Sequence, residues 1–219
     1  MSSLHSRLAV FDCDGTLVDG QADVCDTMEE AFVAAGHAAP DRNETRRLVG
    51  LSLPVAIGQL APDLAISAQT QLVENFKTLF RARRVAGTLD EPLYAGISEL
   101  LIRLNDAGWL LAVATGKSDR GLHACLDVHG IKHLFVSLQT ADGNPSKPHP
   151  AMLETAIAEA GVTADNAVMI GDTSFDMTMA ANAGVRAIGV EWGYHTPDEL
   201  RDAGAADVAR DMAHLEALL

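Results

Sequence analysis

Leu8-Ala9-Val10-Phe11-Asp12-Cys13-Asp14-Gly15-Thr16 is the stretch on which the fold turns. Four apolar residues in succession, without polar alternation, read as a strand buried on both faces. The Asp-Cys-Asp-Gly that follows reads as a tight turn at its end. A strand covered on both faces belongs in a parallel sheet between layers of helix.

After Asp19 the pattern changes. Val24, Cys25, Met28, Ala31, Phe32 and Ala35 recur at the three-and-four spacing of one helical face, with Gly36 as a stop. Helical patterns continue over residues 45–49 and 55–60, and in a long piece where Leu72, Val73, Phe76, Leu79 and Phe80 share a face. No strand pattern interrupts this region. Beyond Pro92 a helix with the stripe Ile97, Leu100, Leu101 and Leu104 opens an alternation of strands and helices. Strands are expected at 110–114, 134–138, 167–170 and 187–190, with helices near 118–128, 151–160 and 175–183. Thr196, Pro197 and Glu199 form a capping-box helix start, and a last helix is expected over 212–219. The expected fold class is therefore α/β, with a doubly wound (Rossmann-like) parallel sheet as core. An inserted all-helical domain, a cap, is expected over residues 19–91, between core segments 1–18 and 92–219.

The bulk properties narrow the function. Of the 219 residues 48% are hydrophobic and 21% charged, which suits a packed globular chain without disulfides. The net charge of −14 disfavours nucleic acid and anionic membrane as partners. Cys13, Cys25 and Cys125 form no CxxC pair and no metal spacing, and an odd count fits reducing cytoplasm better than a disulfide framework. Near the N-terminus the only apolar run is residues 8–11, too short for a signal segment, so a cytoplasmic location is expected.

Four polar clusters stand directly after strands or in a neighbouring loop, where open α/β sheets gather ligand groups. Asp12 and Asp14 precede Gly15 and alone would read as an Asp-Gly turn. Asp172 and Asp176 alone would read as acids at a helix N-terminus. Thr115 with Gly116 alone would read as a helix cap, and Lys147, between Ser146 and Pro148, as a surface lysine. Together they read differently. Carboxylates about 4 Å apart repel by about 4 kcal/mol at an effective dielectric of about 20. Four of them in one cleft call for cations, and Mg2+ together with Lys147 resolves the conflict. A hard divalent ion with oxygen ligands suits phosphate chemistry.

Asp12-Cys13-Asp14-Gly15-Thr16, Thr115, Lys147 and Gly171-Asp172-Thr173-Ser174-Phe175-Asp176 follow the order and spacing of four motifs, and on them the chain resembles the haloacid dehalogenase superfamily of hydrolases, in particular members with a helical cap such as phosphoglycolate phosphatases. The resemblance implies that Asp12 attacks phosphorus to give an aspartyl-phosphate, and that Asp14 protonates the leaving oxygen and later activates water. It implies Mg2+ on Asp12, the Asp14 carbonyl and Asp172. Thr115 and the Gly116 amide would bind the phosphoryl group, Lys147 would neutralise nucleophile and phosphate, and Asp176 would support Lys147 or a metal-bound water. Similar dehalogenases carry an aromatic residue at the place of Asp14, so an acid there favours phosphate esters. The family often has an acid after Lys-Pro-x-Pro, where this chain has Ala151. In the insert, Gly50, Leu51 and Ser52 form a small-residue loop that the analogy places over the site as a substrate-binding element.

The expected activity is thus a Mg2+-dependent phosphatase acting on a small phosphorylated metabolite. A phosphosugar mutase like β-phosphoglucomutase shares the motifs and is the nearest alternative. A receiver-type signalling domain also collects aspartates, threonine and lysine, but on a middle strand and without an insert. A non-catalytic binding module would not need every motif position filled. Cys13 is expected to turn into the core, His149 to cap a helix, and Trp192, Tyr194 and His195 to pack. Oligomeric state is not encoded in these motifs.

Overall fold

The computed structural model describes residues 6–219; residues 1–5 of the expected first core segment lie outside the described residues. Strand β1 (Arg7–Phe11) alternates its side chains between two separate apolar clusters. Ala9 and Phe11 face one cluster, Leu8 and Val10 the other. That is why the strand is apolar at every position: a period of two serves two buried faces.

Five further strands complete the sheet: β2 (Trp109–Ala114), β3 (Phe135–Gln139), β4 (Ala167–Gly171), β5 (Arg186–Val190) and β6 (Asp207–Ala209). Every pairing is parallel, in the order β3-β2-β1-β4-β5-β6. Helices α5 (Ile97–Asp106) and α6 (Asp119–Val128) cover the face of Ala9 and Phe11, through Leu100, Leu101 and Leu122. The opposite face is covered by α7 (Ala151–Ala160), α8 (Ser174–Asn182) and α9 (Pro197–Asp202), through Met152, Met177 and Leu200. The last helix, α10 (Met212–Leu218), returns to the first face through Leu215. The strand order reverses between β1 and β4, and the crevice at their carboxyl ends is the natural place for a ligand.

Between β1 and α5 run four helices: α1 (Gln21–Ala34), α2 (Arg42–Arg47), α3 (Leu53–Leu60) and α4 (Ile66–Ala86). They bury a cluster of their own, Met28, Phe32, Ile57, Ala61, Leu72 and Val73. The chain leaves and re-enters the sheet layer at one place, since Asp19 N donates to Pro92 O at 2.9 Å and Tyr94 N to Leu17 O at 3.0 Å.

The expected strands and helices are present, with ends moved by a few residues; α2 begins at Arg42 rather than near 45 because the Asp41 side chain caps Asn43 N and Glu44 N. One element departs from the sequence reading. Residues 207–209 form the edge strand β6, paired with β5, where no strand pattern was legible.

Candidate active site

Asp12 follows β1 directly, and Asp12 N donates to Ile170 O at 2.9 Å, which sets it beside the end of β4 across the switch point. Asp172 leaves the end of β4 and is held on both oxygens: Thr16 Oγ1 donates to Oδ1 and Tyr194 N to Oδ2, each at 2.9 Å. The turn after Asp14 needs Gly15, whose φ of 84° is left-handed and whose missing Cβ would stand inside the Asp172 carboxylate. Asp176 sits at the third position of α8 and closes a capping box, accepting from Thr173 N at 3.1 Å and Thr173 Oγ1 at 2.7 Å.

Lys147 comes from the loop before α7 and is wholly buried. Its Nζ donates to Asp176 Oδ1 at 2.7 Å and lies 2.8 Å from Asp12 Oδ1. The second contact has ion-pair distance but not hydrogen-bond direction, so both Asp12 oxygens lack a hydrogen-bond partner among the described residues. Burial pushes the Asp12 carboxyl up to about 7, with Lys147 opposing and Asp176 adding to the rise. Burial, then Asp12 and Asp176, likewise push Asp172 well above the usual carboxylate range. For Lys147 burial works against the cation, yet Asp12 and Asp176 outweigh it and hold the lysine above its ordinary value.

One carboxylate oxygen from each of Asp12, Asp172 and Asp176 lies within 4.8 Å of the others. The donor set is all oxygen, one member has unpartnered buried oxygens, and burial pushes Asp12 and Asp172 toward protonation. These features fit a hard divalent cation such as Mg2+. Asp14 does not join this group through its carboxylate. Its Oδ1 accepts instead from Lys117 Nζ at 2.6 Å.

Thr115, at the end of β2, is buried, and its Oγ1 accepts from Lys117 N at 3.2 Å. Gly116 is pressed against the insert: a Cβ there would overlap the carbonyl oxygens of Gly50 and Leu51. Gly50 itself lies over Asp12, since a Cβ on it would stand 3.8 Å from Asp12 Oδ2. Ser52 is anchored beside Lys147 through its backbone, Ser52 N donating to Ser146 Oγ at 2.9 Å. Asp12, Asp14, Thr115, Gly116, Lys147, Asp172, Asp176, Gly50 and Ser52 therefore gather at one end of the sheet, with the insert closed over them.

Four contributors were not read as site residues from the sequence. Lys117 is buried between acids, Thr16 and the Tyr194 amide orient Asp172, and His195 accepts from Ser174 N at Nδ1 while Nε2 meets Arg47 O at 2.9 Å. Lys117 had a legible signal as one of four lysines and two residues after Thr115, Thr16 stood within the first motif, and Tyr194 and His195 were expected only to pack. Cys13 turns into the core, and His149 Nδ1 accepts from Ala151 N at 3.2 Å. No helix among the described residues is long and apolar enough to cross a membrane.

Residues 9–190 match the model of the haloacid dehalogenase-like hydrolases. The chain is 36% identical over 199 residues to a Dickeya dadantii (strain 3937) protein named probable phosphatase IndB, covering 90% of this chain and 86% of that one. It is 33% identical over 194 residues to phosphoglycolate phosphatase of Agrobacterium fabrum, covering 86% and 82%. A crystal structure of a predicted phosphatase from Clostridium acetobutylicum superposes with a TM-score of 0.88 at 25% identity, covering 99% and 98% of the two chains. With the acids, the lysine and the sheet order already in place, the match across residues 9–190 settles the family: this chain belongs to the haloacid dehalogenase-like hydrolases.

Proposed function

We propose that this hydrolase removes phosphate from a small phosphomonoester with Asp12 as nucleophile, in a site that takes Mg2+ and is covered by the helical insert of residues 19–91. The observation that carries the reading is the Asp12 carboxylate itself. It is wholly buried, its Oδ2 has no partner, and Lys147 stands on its other oxygen. A carboxylate maintained in that condition for structure alone is a liability of several kcal/mol; aimed at an incoming phosphorus it is a nucleophile.

In the first half of the reaction Asp12 Oδ2 forms a bond to phosphorus and the ester P–O bond breaks. Asp14 gives its proton to the departing oxygen. In the second half Asp14 takes a proton from water, the water oxygen bonds to phosphorus, and the aspartyl P–O bond breaks to return the Asp12 carboxylate and free phosphate. Lys147 offsets charge on Asp12 and on the phosphoryl oxygens, while Asp176 holds Lys147 in place. Thr115 Oγ1 and the Gly116 amide bind the phosphoryl group. Asp12, Asp172 and the Asp14 carbonyl would hold Mg2+, which when bound supplies a fixed positive charge for the phosphoryl oxygens.

Asp12 is fully buried beneath Gly50, so substrate entry requires the insert to lift, and its return excludes water. A closed chamber of this kind suits a small metabolite, and the names of the relatives above support phosphoglycolate or a comparable phosphorylated acid as the class to test. The test is Asp12→Asn, assayed against an aryl phosphate with Mg2+ and checked for folding by circular dichroism. Turnover should fall by about 10³-fold or more; substantial activity in the folded variant removes Asp12 from the role.

A further inference from the structure

We propose that Lys117 is a positioning residue that aims Asp14 and ties its placement to the two chain crossings of the helical insert. The inference rests on the reading of Asp14 as the proton-transfer group and goes beyond it by naming what holds that group.

Lys117 Nζ donates to Asp14 Oδ1 and to Glu91 Oε1, both at 2.6 Å. The Lys117 and Glu91 side chains are less than a tenth exposed. Arg84, in the last turn of α4, completes the row by donating to Glu91 Oε2 at 3.1 Å. Two cations and two anions thus alternate from the helical insert to the catalytic loop. The Lys117 backbone fixes its end of the row, N donating to Thr115 Oγ1 at 3.2 Å and O accepting from Ala141 N at 3.2 Å.

The location gives the row its meaning. Glu91 lies on the return crossing, next to Pro92, whose carbonyl accepts from Asp19 N on the outgoing crossing. Gly20, on that outgoing crossing, packs against both acids; a Cβ there would stand 3.4 Å from Glu91 Cγ and 3.5 Å from Asp14 Oδ1. Any lifting of the insert turns about these crossings, and Lys117 is the side chain that touches both Glu91 and Asp14. One Asp14 oxygen is thereby occupied, which leaves Oδ2 for the leaving oxygen or for water. A flexible Asp14 would reach that geometry only part of the time, and misplacement of a proton donor by about 1 Å can cost about 10²-fold.

The experiment compares two leaving groups in single turnovers. An alkyl phosphate needs a proton on its departing oxygen; p-nitrophenyl phosphate does not. Lys117→Met should slow alkyl phosphate cleavage by about 10- to 100-fold and leave the p-nitrophenolate burst within about threefold of wild type. Glu91→Gln, which keeps the shape of the row, should shift the same ratio in the same direction by a smaller factor and covers the case in which Lys117→Met does not fold. Asp14→Asn serves as reference. If Asp14→Asn retains alkyl phosphate cleavage, the reading of Asp14 falls. If Asp14→Asn loses it while folded Lys117→Met or Glu91→Gln keeps the wild-type ratio of the two substrates, Lys117 is not a positioning residue. Equal slowing of both substrates also overturns the proposal, since a structural disturbance would act on both alike.

Discussion

Lys147 and Asp176 stand 2.7 Å apart with both side chains wholly buried. Asp176 is thereby engaged on both oxygens, one by the lysine and one by Thr173, whereas Asp12 on the other side of the lysine is engaged by the lysine alone. The lysine is firmly seated toward Asp176, and Asp12 is the partner left without a hydrogen bond.

Replacing that lysine leaves two buried carboxylates without a cation. Lys147→Met should destabilise the protein by about 3–5 kcal/mol in urea titration. Adding Asp176→Asn should return part of this, because it removes one of the stranded charges. A double variant no more stable than Lys147→Met would argue against charge as the cause.

The Asp12 carboxyl sits at about 7 when folded against 3.8 ordinarily. A group whose folded value is raised contributes stability that is fully present below the unfolded value and lost as pH rises through the folded one. The metal-free protein should therefore lose stability between about pH 4 and about pH 7 from this group, by at most about 4 kcal/mol. Asp12→Asn should flatten that part of the curve. Thermal melts of both proteins in chelator across this range check the sign; a parallel pair of curves would contradict it.

EDTA should stop turnover and Mg2+ restore it, since three crowded carboxylates cannot host a phosphate dianion unaided. Mg2+ should also raise the melting temperature of the wild type, and by less in Asp172→Ala. Full activity after exhaustive chelation would remove the cation from the site.

Gly116 has no room for a side chain because the carbonyls of Gly50 and Leu51 occupy it. Gly116→Ala should force the 50–52 loop away and lower kcat/KM on the order of tenfold, with an overpacking cost of about 1–3 kcal/mol falling on the closed form. An unchanged kcat/KM would mean that contact of this loop with Gly116 is not needed for turnover.

The legible parts of the molecule share one trait: their residues carry their own explanation. Leu8 to Phe11 need two buried faces, so the parallel sheet follows; Thr196 and Glu199 cap each other, and the box forms as read. Asp207, Val208 and Ala209 make a strand only because β5 offers an edge, and three residues hold no period to reveal it. The site divides in the same way. Motif spacing singled out Asp12, Thr115, Lys147 and Asp172, which the fold brings to one end of the sheet, but it did not show the Asp14 carboxylate paired with Lys117, nor Lys117 with Glu91 and Glu91 with Arg84 from another part of the chain. Pairings of that kind are set by tertiary packing, and no local pattern announces them.

The placement of β1 at the centre of the sheet also governs how this chain is assembled. Val10 pairs with Ala112 and Met169, partners synthesised roughly a hundred and more residues later, so β1 emerges well before the neighbours it must pair with. The helices of residues 21–86 can bury Met28, Phe32 and Leu72 among themselves in the interval. Asp12, whose amide donates to Ile170 O, is thus put in place only when the last central strand docks.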